Sequence, residues 1–495
     1  MPQGDASHTV ARKRGRRRAL LFGLPLLAAA LVAALALVDG RLTIQWPGRE
    51  QSANPSSTPS PGQDAGEEAT GDPADLLPDP APVPTVAEPA TYGALDAAQV
   101  RAATRPGLRD PDLGRHVVAL VADLAGGEPV LAKGTDPVVP ASTAKVLTAT
   151  AALQTVGPAT RFSTRVVAGP RPRDLVLVGG GDPYLASKPA EPGTWPERAD
   201  VRTLARLTAD ALAAQNVTRV RLGYDSSLFT GPAENPRWRA DYIVDEIVAP
   251  ITALAVDGGR DQTGFGRVED PARSAADAFA AALRRAGVRV LGEPTETVAP
   301  ADAAQVAAVE SAPVEQIVQR VLDVSDNEAA EVLARHVGLA VSGEASFTAG
   351  TAAVLSTLTD LGVDTTGTTL YDGSGLSRAN RVPARLLLET LRLAAGPAYP
   401  ELRPVLAGLP VAGFTGSLTW RFADAPAQGR GRVRAKTGTL TGVHALAGVA
   451  TGVDNTPMVF VLVADRVALA DNLDAREALD QVAASLGACR CGTVG

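Results

Sequence analysis

Thiols are almost missing from this chain: its only cysteines, Cys489 and Cys491, fall at the extreme C-terminus. A catalytic cysteine, a thiolate metal site and a disulfide framework are therefore excluded from the body. The tail pair could be free, joined locally or joined to another chain. Histidine is as scarce. His8, His116, His336 and His444 stand far apart without metal-ligand spacing, so no metal and no cofactor is expected. Basic residues are not in excess either, with 47 against 54 acidic ones and a net charge of −7, which excludes a basic nucleic-acid-binding field. Aromatics make up 4%. Among the basic residues lysine is rare, with only Lys13, Lys133, Lys145, Lys188 and Lys436 beside many arginines. Arginine cannot lose its proton in a protein, so a lysine kept in such a chain points to a group that must, although codon bias would produce the same scarcity.

What is present begins with a charge boundary. Arg12 to Arg18 carries six positive charges, and Ala19 to Val38 follows as 20 residues without a charge. That length spans a bilayer, and the basic cluster sets the orientation with the remainder outside. Length favours an uncleaved anchor, whereas Ala34-Leu35-Ala36 also fits a signal-peptidase site. Either way the body is expected on the cell-wall side of the plasma membrane, anchored or secreted. Residues 39–94 are rich in Pro, Ser and acidic residues with little apolar periodicity, a disordered spacer. At 495 residues the chain as a whole suggests two or three structural units.

Folded patterns start near Leu95. His116 to Asp123 and Pro129 to Ala132 read as a hairpin about Gly126-Gly127. A helix runs from Ser142 to about Thr155. Arg165 to Ala168 and Leu175 to Val178 read as strands, with helices near Arg202 to Gln215 and Ala272 to Ala286. Ile317, Val318, Val321 and Leu322 recur at helical spacing up to a break at Val324-Ser325-Asp326-Asn327, and a second helix starts at Glu328. Three strands (Arg432 to Thr439, Ala445 to Ala450, Met458 to Ala464) and a helix from Ala470 to Leu486 close the chain.

Three short stretches could carry chemistry. Ser142 and Lys145 lie three apart, hence on one helix face, with Pro140 just ahead. In a first helical turn, free backbone N–H groups and the helix dipole favour a developing anion. A lysine whose ammonium is desolvated can take the serine proton. An ordinary helix start with a solvated lysine explains the pair equally well. Ser325-Asp326-Asn327 stands between two helices, where each residue makes a good cap; it also brings a hydroxyl and an amide to one place. Lys436-Thr437-Gly438-Thr439 lies on a strand. It is either an edge lysine before a turn or a cationic, hydroxyl-lined rest for a carboxylate and an extended backbone.

Ser-x-x-Lys, Ser-Asp-Asn and Lys-Thr-Gly in this order are the motif set of penicillin-binding proteins and class A β-lactamases. From about Gly107 to Leu486 the chain resembles the class C low-molecular-mass penicillin-binding proteins, the D-alanyl-D-alanine carboxypeptidase/endopeptidase family. The resemblance includes Leu175 to Leu185, Ala249 to Leu254, Ser325 to Leu333, Asp372-Gly-Ser-Gly-Leu-Ser377 and Gly431 to Leu440. It implies an α+β, β-lactamase-like serine transpeptidase fold with an antiparallel sheet and a helical cluster. Residues 95–165 and 311–487 would form the peptidase domain, 166–310 an inserted α/β domain, and 488–495 a tail. It implies a serine DD-peptidase that cleaves the D-Ala-D-Ala bond of peptidoglycan stem peptides and is acylated by β-lactams. By the family's roles Ser142 is the nucleophile, Lys145 the base, Ser325 the proton relay and Asn327 a substrate-amide ligand. Lys436, Thr437 and Thr439 hold the terminal carboxylate, Gly438 is substrate-binding beside them, and the N–H groups of Ser142 and Thr439 form the oxyanion hole. A β-lactamase or a non-catalytic wall-binding module would share parts of this pattern.

Overall fold

The computed structural model describes residues 94–134, 137–261, 263–264 and 266–493. The basic tail, the apolar segment and nearly all of the spacer expected before residue 95 lie outside the described residues. Among the described residues no helix is long and apolar enough to cross a membrane.

In chain order the elements are α1 (Ala97–Thr104), β1 (Val117–Ala122), β2 (Leu131–Lys133) and α2 (Lys145–Thr155). There follow β3 (Ser163–Ala168), β4 (Asp174–Val178), α3 (Val201–Ala213), β5 (Arg219–Asp225), α4 (Pro271–Arg285), β6 (Arg289–Val290), β7 (Thr295–Glu296) and β8 (Gln305–Glu310). Helices α5 (Val314–Val324), α6 (Asn327–Ser342), α7 (Phe347–Asp360), α8 (Ala384–Ala395) and α9 (Arg403–Ala407) precede β9 (Val433–Leu440), β10 (Val443–Thr451), β11 (Pro457–Ala464) and α10 (Asn472–Ala488).

The first sheet is antiparallel, in the order β2-β1-β11-β10-β9. Successive side chains of a strand face opposite sides, so an apolar run can feed two cores at once. Val118, Leu120 and Ala122 face the helices, with Val459, Val461 and Val463 beside them. Ala119 and Val121 face the other way with Phe460 and Leu462, against α1 and α10. The sheet is therefore covered on both sides, and each fully buried Val, Leu or Phe contributes about 1.5–3 kcal/mol.

Helix α2 runs through the middle of the helical layer, and every residue from Lys145 to Leu153 is buried. Its threonines are tolerated because each hydroxyl is bonded: Thr150 Oγ1 to Val146 O (2.9 Å) and Thr148 Oγ1 to Gly373 O (2.7 Å). The periodic residues of α5, Ile317, Val318, Val321 and Leu322, all pack against this core. Helices α7, α8 and α9 are not marked by the sequence reading.

The second sheet is mixed, ordered β6-β5-β4-β3-β8, with β7 also paired to β5. It has its own apolar core, filled by Leu204 and Leu212 of α3 and by Phe279 and Leu283 of α4. Both helices open on aspartate caps, Asp200 and Asp270. Among the described residues of 226–268 there is no helix or strand longer than one short turn. They lie along α6 and the turn that follows β-bridge residue Thr369. Arg335, in α6, is fully enclosed there and donates to the carbonyls of Thr230, Pro232 and Ala345. At the C-terminus Cys489 and Cys491 are joined to each other.

Candidate active site

The Ser142 turn is not the first turn of the α-helix, as the sequence reading has it. Ser142 lies in a separate 3-10 turn, Ala141–Ala144, and the α-helix starts at Lys145. The turn is forced by what packs on it. Ala141 adopts a left-handed φ of 46°, and Gly375, itself at φ 85°, comes so close that a Cβ there would sit 1.9 Å from the Ala141 carbonyl oxygen. On the other side Gly438 of β9 approaches: its Cβ would lie 2.8 Å from Pro140 O and 3.2 Å from Ala141 Cβ. Ser142 is thus held between two chain segments that are both free of side chains at the contact.

The Ser325-Asp326-Asn327 stretch joins α5 to α6. Ser325 ends α5 in the left-handed region at φ 63°, and Asp326 caps α6 by accepting from Ala329 N (2.9 Å). Asn327 is the first residue of α6 rather than a loop residue. Its amide is fixed at both ends: Nδ2 donates to Ile247 O (2.8 Å), and Oδ1 accepts from Lys145 Nζ (2.7 Å).

Lys145 Nζ is also 3.0 Å from Ser142 Oγ and 2.7 Å from the Ser374 carbonyl oxygen. The side chain has no exposed surface, and this burial pushes its pKa down to about 8 against the pull of Glu331 and other carboxylates. The three contacts suit both protonation states. A neutral amine can donate to Asn327 Oδ1 and Ser374 O and still turn a lone pair to the serine O–H. Lys436, on β9, is also wholly buried. Burial first, and then the neighbouring Lys145 ammonium, hold it well below its ordinary value. Its Nζ donates to Thr437 O (3.0 Å).

A cleft of about 580 Å³ is lined by Ser142, Ser325, Asn327, Thr437 and Thr439. Lys145, Lys436 and Gly438 lie beneath its surface. The structure therefore brings all three motifs to one opening. It adds residues to which the sequence reading gives no role. Ser417 shares a hydrogen bond of 2.9 Å with Thr437 Oγ1. Arg239, Asp241, Asp245 and Arg378 give one wall of the cleft both signs of charge. Behind the site Asp372 accepts from Gly375 N, Ser377 N, Asn380 Nδ2 and Trp238 Nε1, all within 3.0 Å. Glu331 accepts from Gly373 N (3.0 Å) and Ser374 N (2.7 Å). Glu331 had a visible signal, since it stands one helical turn after Asn327. The charged wall had none, because it comes from an irregular segment.

Comparison with known proteins gives one consistent picture. Residues 100–266 and 261–486 match the D-Ala-D-Ala carboxypeptidase 3 (S13) family. A carboxypeptidase of Mycobacterium tuberculosis is 39% identical over 418 residues, covering 83% of this chain and 87% of that one. A D-alanyl-D-alanine carboxypeptidase of an Actinomadura species is 31% identical over 418 residues, covering 70% and 77%. Penicillin binding protein 4 of Haemophilus influenzae superposes with a TM-score of 0.62 at 20% identity, over 78% of this chain and 98% of that one, which shows the same fold. A second structure of that protein holds a β-lactam.

Proposed function

This chain belongs to the D-Ala-D-Ala carboxypeptidase 3 (S13) family, and from that premise we propose that Ser142 is its acylating nucleophile. The protein is a serine-type D-Ala-D-Ala carboxypeptidase that acts on peptidoglycan. The observation that carries the residue assignment is the buried Lys145 amine, 3.0 Å from Ser142 Oγ and with its other contacts fixed.

In the acylation step Lys145 takes the Ser142 proton as the Oγ–C bond forms at the penultimate D-alanine carbonyl. General-base help of this kind is worth about 10²–10⁴ in rate. The backbone N–H groups of Ser142 and Thr439 receive the oxyanion, each worth about 10²–10³. The C–N bond then breaks, and the proton passes from Lys145 through Ser325 to the departing D-alanine amine. Asn327 orients Lys145 and the substrate amide. Lys436, Thr437 and Thr439 rest the terminal carboxylate, with Gly438 allowing the strand to close on the Ser142 turn. Water completes the cycle by attacking the acyl-enzyme, which restores Ser142 O–H. A β-lactam presents the same carbonyl on a ring whose amine cannot leave, so its adduct persists. The mixed-charge wall of Arg239, Asp241, Asp245 and Arg378 suits a stem peptide with ionised side groups, and cross-linked stems are a second substrate for an endopeptidase action.

An apolar core drawn wholly from Val166 to Ala307 supports an inserted domain (166–310) within a peptidase domain (95–165 and 311–487), with Tyr242, Val248 and Ile251 packed instead on Val332, Phe347 and Leu376. The 20-residue uncharged run after a basic cluster supports an N-terminal membrane anchor, with the body outside the cytoplasm. The assignment is tested by intact mass after penicillin treatment. A single persistent adduct is expected on the wild type and none on Ser142→Ala or Lys145→Arg; an adduct on either variant at the wild-type rate overturns the assigned roles.

A further inference from the structure

The second layer of the site contains a carboxylate that the mechanism above does not use. Glu331 lies in α6, one turn after Asn327, and has no exposed surface. Both of its oxygens are committed to backbone: Oε2 to Gly373 N (3.0 Å) and Oε1 to Ser374 N (2.7 Å). Those two peptides belong to the turn that serves the catalytic pair directly. Ser374 O accepts from Lys145 Nζ, Gly373 O accepts from Thr148 Oγ1 one turn along α2, and Gly375 rests on the Ala141 carbonyl. A single helix thus presents Asn327 to one N–H of Lys145 and, through Glu331, the Ser374 carbonyl to another.

We propose that Glu331 is a positioning residue for the Ser142–Lys145 pair: its carboxylate fixes the turn whose Ser374 carbonyl receives Lys145 Nζ and supplies the counter-charge to the ammonium that forms when Lys145 takes the serine proton. A nucleophile, a base and a group that orients the base is a recurrent arrangement, and here the third group acts through a backbone carbonyl rather than by touching the base. The inference rests on Lys145 being the base.

The neighbourhood makes charge the deciding property. Facing Lys145 are Asp326, Glu328 and Glu331 from the start of α6, Asp372 from the 371–378 turn, and Lys436 from β9. Facing Glu331 are Asp372, Lys145 and, one turn on, Arg335, which spends its N–H groups on carbonyls. Burial and then the Asp372 charge push Glu331 up to about 7, next to a lysine at about 8. A negative Glu331 favours the charged form of Lys145 from behind the Ser374 turn.

The test is the second-order rate of penicillin acylation of the full chain across pH, for wild type, Glu331→Gln and Glu331→Asp. Acylation needs neutral Lys145 and so rises with pH through its pKa. A negative Glu331 raises that pKa, so its removal moves the rising limb to lower pH. For Glu331→Gln the expected result is a limb displaced by about one pH unit, with a plateau roughly tenfold lower because the base is weaker. Glu331→Asp keeps the charge and loses reach, so the limb stays while the plateau falls. Lower plateaus with unmoved limbs in both variants mean a structural role only and overturn the inference. If Glu331→Gln does not fold, Glu331→Asp decides: a shorter carboxylate that leaves the plateau at its wild-type value overturns the inference. A wild type that forms no Ser142 adduct overturns the reading of the pair itself as well.

Discussion

Replacing Gly438 by alanine should damage acylation far more than stability. The added methyl would stand 2.8 Å from Pro140 O, 3.0 Å from Ala445 Cβ and 3.2 Å from Ala141 Cβ. A carbon does not rest at 2.8 Å from a backbone oxygen, so β9 and the Ser142 turn must part by about 0.5 Å. None of the three neighbours is a flexible side-chain tip that could swing away. Overpacking of one methyl costs roughly 1–3 kcal/mol, a few degrees in Tm. The same displacement separates the N–H of Ser142 from that of Thr439, which sit on the two surfaces being pushed apart. Loss of one oxyanion donor costs about 10²–10³ in rate. Stopped-flow acylation by a chromogenic β-lactam should therefore slow by roughly 10²-fold while thermal unfolding shifts only slightly. The double variant Gly438→Ala/Ala445→Gly sharpens the assay, because Ala445 faces Gly438 across the β9–β10 pair. Removing its methyl relieves the strand contact but not the one with Pro140 O. Stability should recover in part at most, and acylation should not. If Gly438→Ala acylates within about threefold of wild type, the close approach of the two segments has no bearing on the oxyanion site.

Two further outcomes follow from buried charge. Arg335→Ala leaves the carbonyls of Thr230, Pro232 and Ala345 without their donor and exposes Glu331 to the loss of a nearby cation; a cost of about 3 kcal/mol in urea unfolding is expected, with faster proteolysis between residues 226 and 268. His336 is held down to about 4 by burial against Phe162, although it bonds to Gly181 O. The unfolded chain therefore binds the extra proton first, and stability falls as pH drops from 6.5 towards 4, by up to about 3 kcal/mol. His336→Gln should flatten that part of the pH–stability curve, and an unchanged acid slope would refute it.

How much of this is legible in sequence depends on the range of the interaction. Strands β1, β4, β9, β10 and β11 announce themselves because each alternates or runs apolar between turn residues, and α5 because its apolar residues keep helical spacing. Helix α7 escapes notice: Thr351 and Thr357 interrupt its apolar face, and only the structure shows their hydroxyls bonded to carbonyls within the helix. The three motifs are short and local, so they can be read directly. What surrounds them cannot. Trp238 reaches Asp372 and Asn235 reaches Tyr371 O across long sequence separations, from a segment with no period at all. The 3-10 geometry at Ser142 escapes for the same reason, being imposed by Gly375 and Gly438, which are far away along the chain.

The strand order of the first sheet has a consequence in time. β1 lies near the start of the described chain, yet it pairs with β11 near the end, and β9 with its Lys-Thr-Gly stretch is reachable only through β10. A polypeptide that emerges from the ribosome, or crosses a membrane pore beginning with the part nearest its N-terminal anchor, delivers the serine and its lysine long before the strand that closes the oxyanion site. Until the last strands arrive, three of the sheet's five strands are missing and the nucleophile has no partner surface. The topology is therefore a built-in delay: the enzyme is inert for as long as any of β9 to β11 is still to come, and it becomes a hydrolase only once it has been delivered whole.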